Sequence, residues 1–324
     1  MLEQLVPGVR TVTADELGFG ATQRARQGRG SSLPDAPVVT ADDPQVAEIM
    51  RLALQFKGVI LTGPPGTSKS YYAEIAANIL AGAKERREFI QFHASYQYED
   101  FMVGFAPTET HFRTKEGSFL RLVKNAALFP EHTYVLVIDE LSRADVGRVF
   151  GEALTYIDRT KREEVFLIAN GEEIKVPSNF IIIATMNPFD RGVDEVDAAF
   201  ERRFAKITMD PKVEFLDSIL TRARMEDGLK QRVLTWFRDI NREAENTPAA
   251  AVGHAYFTSA SDQDSLRDLW NYQLRYLVER AFRREPDRRR HFTDRWEQAL
   301  VTPEPVEEAE LAPLDQSQEP EAQS

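Results

Sequence analysis

The sequence predicts a three-layer α/β domain with a parallel central sheet and inserted β-hairpins, followed by a small α-helical domain. Three observations predict this fold class. Two continuous apolar runs rich in β-branched residues, at 134–138 and 180–184, are typical of central parallel strands that are covered on both faces. Strand and helix patterns alternate between residues 43 and 210. Beyond residue 211 helical spacing takes over.

The two ends of the chain differ from its middle. Residues 1–40 mix Gly, Pro, Ser and Thr with a few Arg and show no sustained periodicity, so we expect an irregular arm. Residues 301–324 are rich in Pro, Glu, Gln and Ser, which offers little to bury and predicts a disordered acidic tail. Between these ends we place the α/β domain at residues 41–210 and the helical domain at residues 211–300.

The composition excludes several classes of protein. With 324 residues and 42% hydrophobic content, the chain can form one large or two ordinary domains with a hydrophobic core. It contains no cysteine, which excludes disulfides, thiolate metal sites and cysteine nucleophiles. No apolar run approaches the roughly 20 residues that span a bilayer, so we expect a cytoplasmic protein without a membrane partner. The net charge of −12 lies partly in the tail and does not exclude contact with nucleic acid.

The first regular element is predicted to be a helix that leads into a strand. Asp43 can cap this helix, Pro44 suits its first position, and apolar residues repeat at helical spacing until Gly58 ends it. The apolar run at 59–61 then indicates a short buried strand.

A phosphate-binding loop follows this strand directly and precedes a helical pattern, which is the context that such a loop requires. Its backbone N–H groups and the positive end of the helix dipole would face a nucleotide's β-phosphate. Lys69 would add a positive charge, and the Ser70 hydroxyl would bind Mg²⁺. The residues predicted to hold the nucleotide are Gly63, Pro64, Pro65, Gly66, Thr67, Ser68, Lys69, Ser70 and Tyr71.

Ser68 departs from the usual loop, which has glycine immediately before the lysine. A serine can be accommodated there if its φ is negative, because only a left-handed or crowded backbone would require glycine. We therefore expect the nucleotide site to be retained. The affinity for the nucleotide is the property that Ser68 would affect.

Two adjacent carboxylates end the strand at 134–138. Asp139 would bind the metal, often through water, and Glu140 would act as the general base. The strand at 180–184 is followed by Asn187, whose amide can orient the attacking water against the γ-phosphate. The five histidines lack metal-binding spacing, so Mg²⁺ with a nucleotide is the cofactor that the sequence indicates.

A β-hairpin is predicted between these two strands. Asn170 and Gly171 separate two short β-type segments, at 166–168 and 173–176. An Asn-Gly pair readily adopts two positive φ angles, which is the strongest short-range hairpin signal.

Arg202 and Arg203 precede the last predicted strand, at 205–209. Arginines at this place are candidates for a finger that reaches the γ-phosphate of a neighbouring subunit. A surface ion pair is the alternative role, and we expect it to hold for one of the two. The sequence does not decide which.

Taken in order, these motifs resemble the AAA+ ATPase superfamily, and within it the McrB-like motor subunits of modification-dependent restriction systems. The resemblance covers roughly residues 41–300. It includes a lid motif in which Ala255 stands where the family usually has serine. The motifs that carry it are residues 63–70, 92–101, 138–144, 150–152, 186–191, 202–204 and 253–257.

The resemblance implies roles that spacing alone does not supply. Asn187 would be the sensor, and Arg202 or Arg203 the finger acting in trans, which requires a homo-oligomeric ring, a hexamer in this family. The nucleotide would be ATP, or GTP, which many members prefer. Residues 98–119 and the predicted hairpin would be inserted elements that face the pore or a partner. Four of their aromatic side chains are expected to lie in the core: Phe101, Phe105, Phe112 and Phe119.

These observations predict a nucleoside triphosphatase motor that powers or licenses a separate effector, such as a McrC-like nuclease in antiviral restriction. DNA would be reached through the partner or through the pore. Two alternatives stay open. One is a protein-remodelling chaperone, as in the related MoxR branch, and the other is a nucleotide-gated assembly scaffold with little turnover.

Overall fold

The computed structural model describes residues 43–107, 112–188 and 198–301. The predicted arm and nearly all of the predicted tail lie outside these residues, as do Phe189, Asp190 and Arg191 of the motif at 186–191. In the described part of the chain, no helix is both long enough and apolar enough to cross a membrane.

A five-stranded parallel sheet forms the centre of the fold, as predicted. The strands in the described residues are β1 (Gly58–Thr62), β2 (Arg87–Gln91), β3 (Val103–Pro107), β4 (Phe112–Glu116), β5 (Tyr134–Asp139), β6 (Val165–Leu167), β7 (Glu173–Lys175), β8 (Phe180–Met186) and β9 (Ala205–Thr208). The sheet has the order β2-β5-β8-β1-β9, and every neighbouring pair in it is parallel. The remaining strands form two antiparallel hairpins, β3–β4 and β6–β7.

Helices flank the sheet and then continue alone. Before β9 they are α1 (Pro44–Phe56), α2 (Lys69–Ala81), α3 (Tyr98–Phe101), α4 (Ser118–Leu128), α5 (Val146–Phe150), α6 (Ala153–Tyr156) and α7 (Ala198–Glu201). After β9 they are α8 (Val213–Arg222), α9 (Asp227–Glu243), α10 (Gln263–Leu269), α11 (Arg275–Ala281) and α12 (Pro286–Leu300), with a π-helical turn at Trp270–Leu274 between α10 and α11. The fold is therefore the predicted α/β domain with a helical lid.

The central strands are buried on both faces, which makes the domain three-layered. Leu136 and Ile138 of β5 belong to a large hydrophobic cluster that includes Phe119 of α4. Val135 and Val137 point to the opposite face, because side chains alternate along a strand, and they are also fully buried. This two-sided burial explains why these strands are continuous apolar runs in the sequence.

The first helix begins as predicted but ends differently. Asp43 caps α1, since its Oδ1 accepts hydrogen bonds from the backbone N–H groups of Gln45 and Val46. Lys57, with a φ of 61°, is the left-handed residue that ends the helix, whereas Gly58 is already the first residue of β1. Gly58 has another reason to be glycine, because a Cβ there would lie 2.4 Å from the ring of Phe204.

The β6–β7 hairpin is present, but the predicted turn geometry is wrong. Gly171 has a φ of 80°, whereas Asn170 does not have a positive φ. The N–H of Gly171 donates to the carbonyl of Ile168, and Ile168 pairs with Glu172, so the loop has three residues and ends on a left-handed glycine. The Asn170 side chain accepts a hydrogen bond from the N–H of Glu172, which is the local bonding that favours asparagine in such turns.

The inserted segment around the β3–β4 hairpin is partly core, as expected, and partly not. Phe101 and Phe119 are fully buried and stack with ring centroids 5.0 Å apart. Phe105 on β3 is instead 64% exposed, so the expectation of a core role is wrong for this residue. Lys124 on α4 links the two hairpins, since its Nζ lies 2.7 Å from Glu116 and 2.5 Å from Glu172.

The helices after β9 have a hydrophobic cluster of their own. Trp236, Trp270 and Trp296 lie in it, with the rings of Trp236 and Trp296 4.7 Å apart and those of Trp270 and Trp296 5.3 Å apart. Their burial indicates that the helical part forms a separate core, because aromatic rings supply much of the apolar area that a small domain can bury. The exact boundary between the two domains stays a prediction.

Candidate functional site

The predicted phosphate loop connects β1 to α2, which is the strand-loop-helix arrangement expected from the sequence. Thr67 is buried, and its hydroxyl donates to the carbonyl of Pro64 over 2.9 Å. The Nζ of Lys69 donates to the carbonyls of Gly63 and Pro64, over 2.9 and 2.7 Å. The Lys69 charge therefore lies over the loop itself, where a bound phosphate would compete with these carbonyls for it.

Ser68 does not meet the condition set by the sequence. Its φ is 63° and its ψ is 24°, so its backbone is left-handed, a conformation that costs a non-glycine residue roughly 1–2 kcal/mol. Ser68 is also the N-cap residue of α2, yet its side chain makes no capping hydrogen bond to the helix. Its Oγ lies instead 3.1 Å from Nε2 of His254 in the helical lid.

The lid packs directly on the loop. A Cβ added to Gly253 would lie 2.2 Å from the carbonyl oxygen of Gly66. The two backbones therefore approach so closely that position 253 has no room for a side chain. The N–H of Ala255 donates to that same carbonyl over 2.9 Å. Gly66 itself has a φ of 76° and faces the ring of Tyr256. The sequence motif at 253–257 is thus the lid's contact with the phosphate loop.

An oxygen-rich cluster joins the loop to the end of β5. Oδ1 of Asp139 accepts hydrogen bonds from the hydroxyl of Ser70, over 2.6 Å, and from that of Thr185, over 2.5 Å. Pairing of Ile138 with Ala184 in the sheet sets Thr185 beside Asp139. One carboxylate with hydroxyl oxygens suits Mg²⁺, which usually completes its coordination with phosphate oxygens and water. The residues present therefore fit the metal that the sequence predicts.

Glu140 and Asn187 follow two adjacent strands of the sheet. Glu140 has a φ of 55°, and its carboxylate lies 3.4 Å from Nε of Arg143. Its backbone N–H donates to the Thr185 hydroxyl over 3.3 Å. Asn187 is buried just after β8, which pairs with β5. Both side chains are therefore at the same carboxyl edge of the sheet as the phosphate loop.

Tyr71, the last predicted nucleotide-binding residue, lies in the first turn of α2. Its ring meets that of Tyr72 edge to face, with centroids 6.0 Å apart. The structure places it next to the loop without giving it a more specific role.

Arg202 and Arg203 lie at the amino-terminal ends of the strands, whereas the phosphate loop lies at the carboxyl ends. They precede β9, which runs parallel to β1 with Val59 beside Ala205 and Thr62 beside Thr208. The four residues of β9 span about 13 Å, so both arginines are separated from the loop of their own chain by at least the length of the strand. Arg202 is exposed, whereas Arg203 is partly buried.

Both arginines also lie near Asp158. The pKa of this carboxyl is below its ordinary value, chiefly because the N–H of Thr160 donates to it, and the charges of Arg203 and Arg202 lower it further. Asp158 is therefore an acidic neighbour of both guanidinium groups, and which of the two arginines forms an ion pair stays a prediction.

His254 is a buried residue of the lid, and no pattern in the sequence predicts a role for its side chain. The backbone N–H of Lys212 donates to its Nδ1 over 3.4 Å, so in the neutral ring the hydrogen is on Nε2 and is donated to Ser68. Burial, and then the charge of Lys212, lower the pKa of His254 from 6.5 to about 4. His254 is therefore neutral at ordinary pH.

This pKa predicts a pH dependence of stability. The unfolded chain binds a proton at His254 near pH 6.5, whereas the folded protein does not until about pH 4. The contribution of this residue is complete above pH 6.5 and is lost as the pH falls towards 4. Between pH 7 and pH 5, we expect the free energy of unfolding to fall about 2 kcal/mol more in the wild type than in His254→Gln, as measured by urea denaturation. The same substitution at the exposed His291 is the control for replacing a histidine by glutamine elsewhere in the lid.

Sequence reasoning missed Thr185 and the pairing of Ser68 with His254. Thr185 could have been noticed as a hydroxyl-bearing residue near the end of β8, the strand that neighbours β5, which ends in Asp139. The pairing had no signal within one segment, because Ser68 and His254 are 186 residues apart.

A comparison with protein families matches residues 58–204 to the AAA domain of the dynein-related subfamily. The match covers the sheet from β1 to the residues just before β9, including the loop, Asp139 and Asn187.

Three curated proteins are similar to the chain. The EcoKMcrB subunit of a type IV methyl-directed restriction enzyme from Escherichia coli K12 is 31% identical in an alignment of 268 positions, which covers 76% of this chain and 58% of that protein. YdiS, a component of the type II restriction enzyme BsuMI of Bacillus subtilis, is 28% identical over 70% of this chain and 80% of its own length. YehL of Escherichia coli, a protein described as uncharacterized, is 25% identical over 62% of this chain and 59% of its own length. The chain thus spans little more than half of the McrB subunit.

Proposed function

This chain carries an AAA domain of the dynein-related subfamily and is related to McrB-type restriction subunits, and from that premise we propose that it binds and hydrolyses a nucleoside triphosphate, ATP or GTP. One observation carries the proposal. The hydrogen bond between Ser70 and Asp139 brings the phosphate loop and the acidic strand end together at one edge of the sheet. A triphosphate held by the loop would therefore meet the groups needed to cleave it.

Phosphate binding, metal binding and activation of the attacking water would fall to different residues of the site. The loop's N–H groups and Lys69 would bind the phosphates, and Lys69 would exchange the carbonyls of Gly63 and Pro64 for phosphate oxygens. Ser70 and Asp139 would hold Mg²⁺, which offsets the negative charge of the phosphates when it is bound. Glu140 would take a proton from the attacking water, and Asn187 would orient that water. The bond between the γ-phosphorus and its bridging oxygen then breaks, releasing phosphate and the diphosphate.

We propose that the protein works as a ring, a hexamer by analogy with the family, because neither of the two candidate finger arginines in the described part of the chain lies beside its own phosphate loop. Arg202 and Arg203 lie at the amino-terminal ends of the strands, and the phosphate loop lies at the carboxyl ends, so neither arginine can serve the pocket of its own chain. The exposed Arg202 is the better candidate for a finger that enters the neighbouring pocket, since Arg203 is partly buried. A neighbour placed head to tail would bring Arg202 to the next loop, and such a contact closes into a ring.

The proposed purpose of the ring is to drive a separate effector. Two of the similar proteins are described as parts of restriction enzymes, which are systems with a nuclease component. We infer that this chain serves a nuclease partner, with DNA reached through that partner or through the pore. Mass spectrometry of what co-purifies with the full chain distinguishes the alternatives. A nuclease subunit supports this proposal, whereas a von Willebrand-type partner would support a protein-remodelling chaperone.

The hydrolytic proposal predicts a dependence on Mg²⁺. Phosphate release from ATP or GTP should fall at least about 100-fold when EDTA removes the metal, and it should return when Mg²⁺ is added in excess. Lys69→Met should abolish release, because it removes the positive charge that would bind the phosphates. Lys161→Met, on the exposed surface, is the matched control. Release that is indifferent to both EDTA and Lys69→Met would rule out this pocket as its source.

A further inference from the structure

Ser68 creates a problem for a phosphate-binding helix. Serine is among the best N-cap residues, because its oxygen accepts hydrogen bonds from the N–H groups in the first turn of the helix that follows. These are the same N–H groups that a phosphate uses at a helix N-terminus. A serine in the N-cap position of α2 can therefore occupy the anion site of its own loop.

The structure shows why it does not do so. Ser68 has a left-handed backbone, whereas a capping serine has an extended one, and its side chain makes no hydrogen bond to α2. Its oxygen instead lies 3.1 Å from Nε2 of His254. The N–H of Lys212 bonds to Nδ1, which leaves the ring hydrogen on Nε2 to be donated to the serine.

His254 is itself held in place. It is buried, and its ring meets that of Phe215 edge to face at 5.2 Å. The neighbouring residues Gly253 and Ala255 contact the carbonyl of Gly66, so the lid and the loop meet over three consecutive residues. The position of the Ser68 oxygen therefore depends on the position of the lid.

We propose that His254 is a positioning residue that keeps Ser68 from capping α2, and so keeps the phosphate loop open to nucleotide while the lid is docked. This inference rests on the proposed nucleotide function. It adds a specific coupling: when the lid leaves the loop, Ser68 is released to cap the helix, and the affinity for phosphate falls. The lid would thus set the affinity of the loop through one side chain.

The test is a set of variants in which the capping oxygen is present or absent. Nucleotide binding is measured by the fluorescence of mant-labelled AMPPNP and GMPPNP with Mg²⁺, which needs no turnover. In the wild-type background, His254→Ala should raise the Kd about five- to tenfold, the strength of a serine N-cap. In the Ser68→Gly and Ser68→Ala backgrounds there is no oxygen to restrain, so His254→Ala should change the Kd less than about twofold.

Two controls separate this role from general damage to the lid. Tyr256→Ala removes another contact with Gly66, so it should raise the Kd by the same factor in every background. His254→Gln keeps an N–H donor near the place of Nε2, so it should bind more tightly than His254→Ala. Melting temperatures show whether each variant is folded.

Each outcome decides something. An equal effect of His254→Ala in all backgrounds, or no effect in the wild type, overturns the positioning role even though nucleotide still binds. If the wild type binds neither nucleotide, the proposed function fails, and this inference fails with it. Suppression of the His254→Ala defect by Ser68→Gly and by Ser68→Ala, without suppression of Tyr256→Ala, supports it.

Discussion

Changing Glu140 to Gln is expected to lower phosphate release by about 10²- to 10⁴-fold, the usual contribution of a general base. The substitution keeps the size and most of the polarity of the side chain but removes the group that takes the proton from water. Glu140 follows Asp139 directly at the strand end, beside the cluster of Ser70 and Thr185. The measurement is a coupled assay of phosphate release under saturating Mg²⁺ and nucleotide.

Binding must be measured in the same variant, because Glu140→Gln should leave the nucleotide bound without cleaving it. Fluorescent nucleotide should therefore bind this variant as it binds the wild type. Loss of the ion pair with Arg143 is a separate effect, and Arg143→Gln is the control for it. If Glu140→Gln turns over at the wild-type rate, the base lies elsewhere and the proposed mechanism is wrong.

Changing Arg202 to Ala is expected to lower phosphate release about 10³- to 10⁵-fold, the range found for arginine fingers. Nucleotide binding should not be lost in this variant, because Arg202 and the phosphate loop of the same chain lie at opposite ends of the strands. Arg203→Ala is the comparison. Because Arg203 is partly buried, that variant should lower the melting temperature more than Arg202→Ala does.

Mixing two inactive variants tests whether Arg202 acts in trans. Glu140→Gln retains the finger, and Arg202→Ala retains the base. In a randomly mixed ring, about a quarter of the interfaces pair an intact pocket with an intact finger, so the mixture should recover activity that neither variant has alone. A mixture no more active than its components would place the arginine outside the neighbouring pocket, and the case for a catalytic ring would lose its main support.

Much of the fold could be predicted because its signals are local. The central strands are buried on both faces, so they appear as unbroken apolar runs, and the cap of α1 appears as Asp43 followed by Pro44. The existence of the β6–β7 hairpin followed from Asn170 and Gly171. Its turn geometry did not, since the Asn170 side chain bonds to the backbone of Glu172 and the loop takes three residues.

Several features of the site could not be predicted, because they depend on segments far apart in the chain. When the loop is considered alone, a serine at position 68 is accommodated if its φ is negative, whereas in the structure its backbone is left-handed and its side chain contacts His254. Thr185 joins Asp139 only because β5 and β8 are neighbours in the sheet. Phe105 was expected in the core, yet it is exposed on the β3–β4 hairpin, which is separate from the five-stranded sheet.

Local sequence patterns identify the residues that can carry the chemistry: a phosphate loop between a strand and a helix, an acid pair after a buried strand, and two arginines before the last strand. These are local patterns, set by backbone propensity and by the period of burial. Tertiary structure alone decided their relations. The neighbouring position of β5 and β8 sets Thr185 beside Asp139, and Ser70 of the loop bonds to the same carboxylate. The parallel direction of β9 and β1 leaves Arg202 at the opposite ends of the strands, and packing of the lid on the loop sets His254 against Ser68. The reason is physical: hydrogen bonds and packing between distant segments depend on how the layers meet, which no single stretch of sequence encodes.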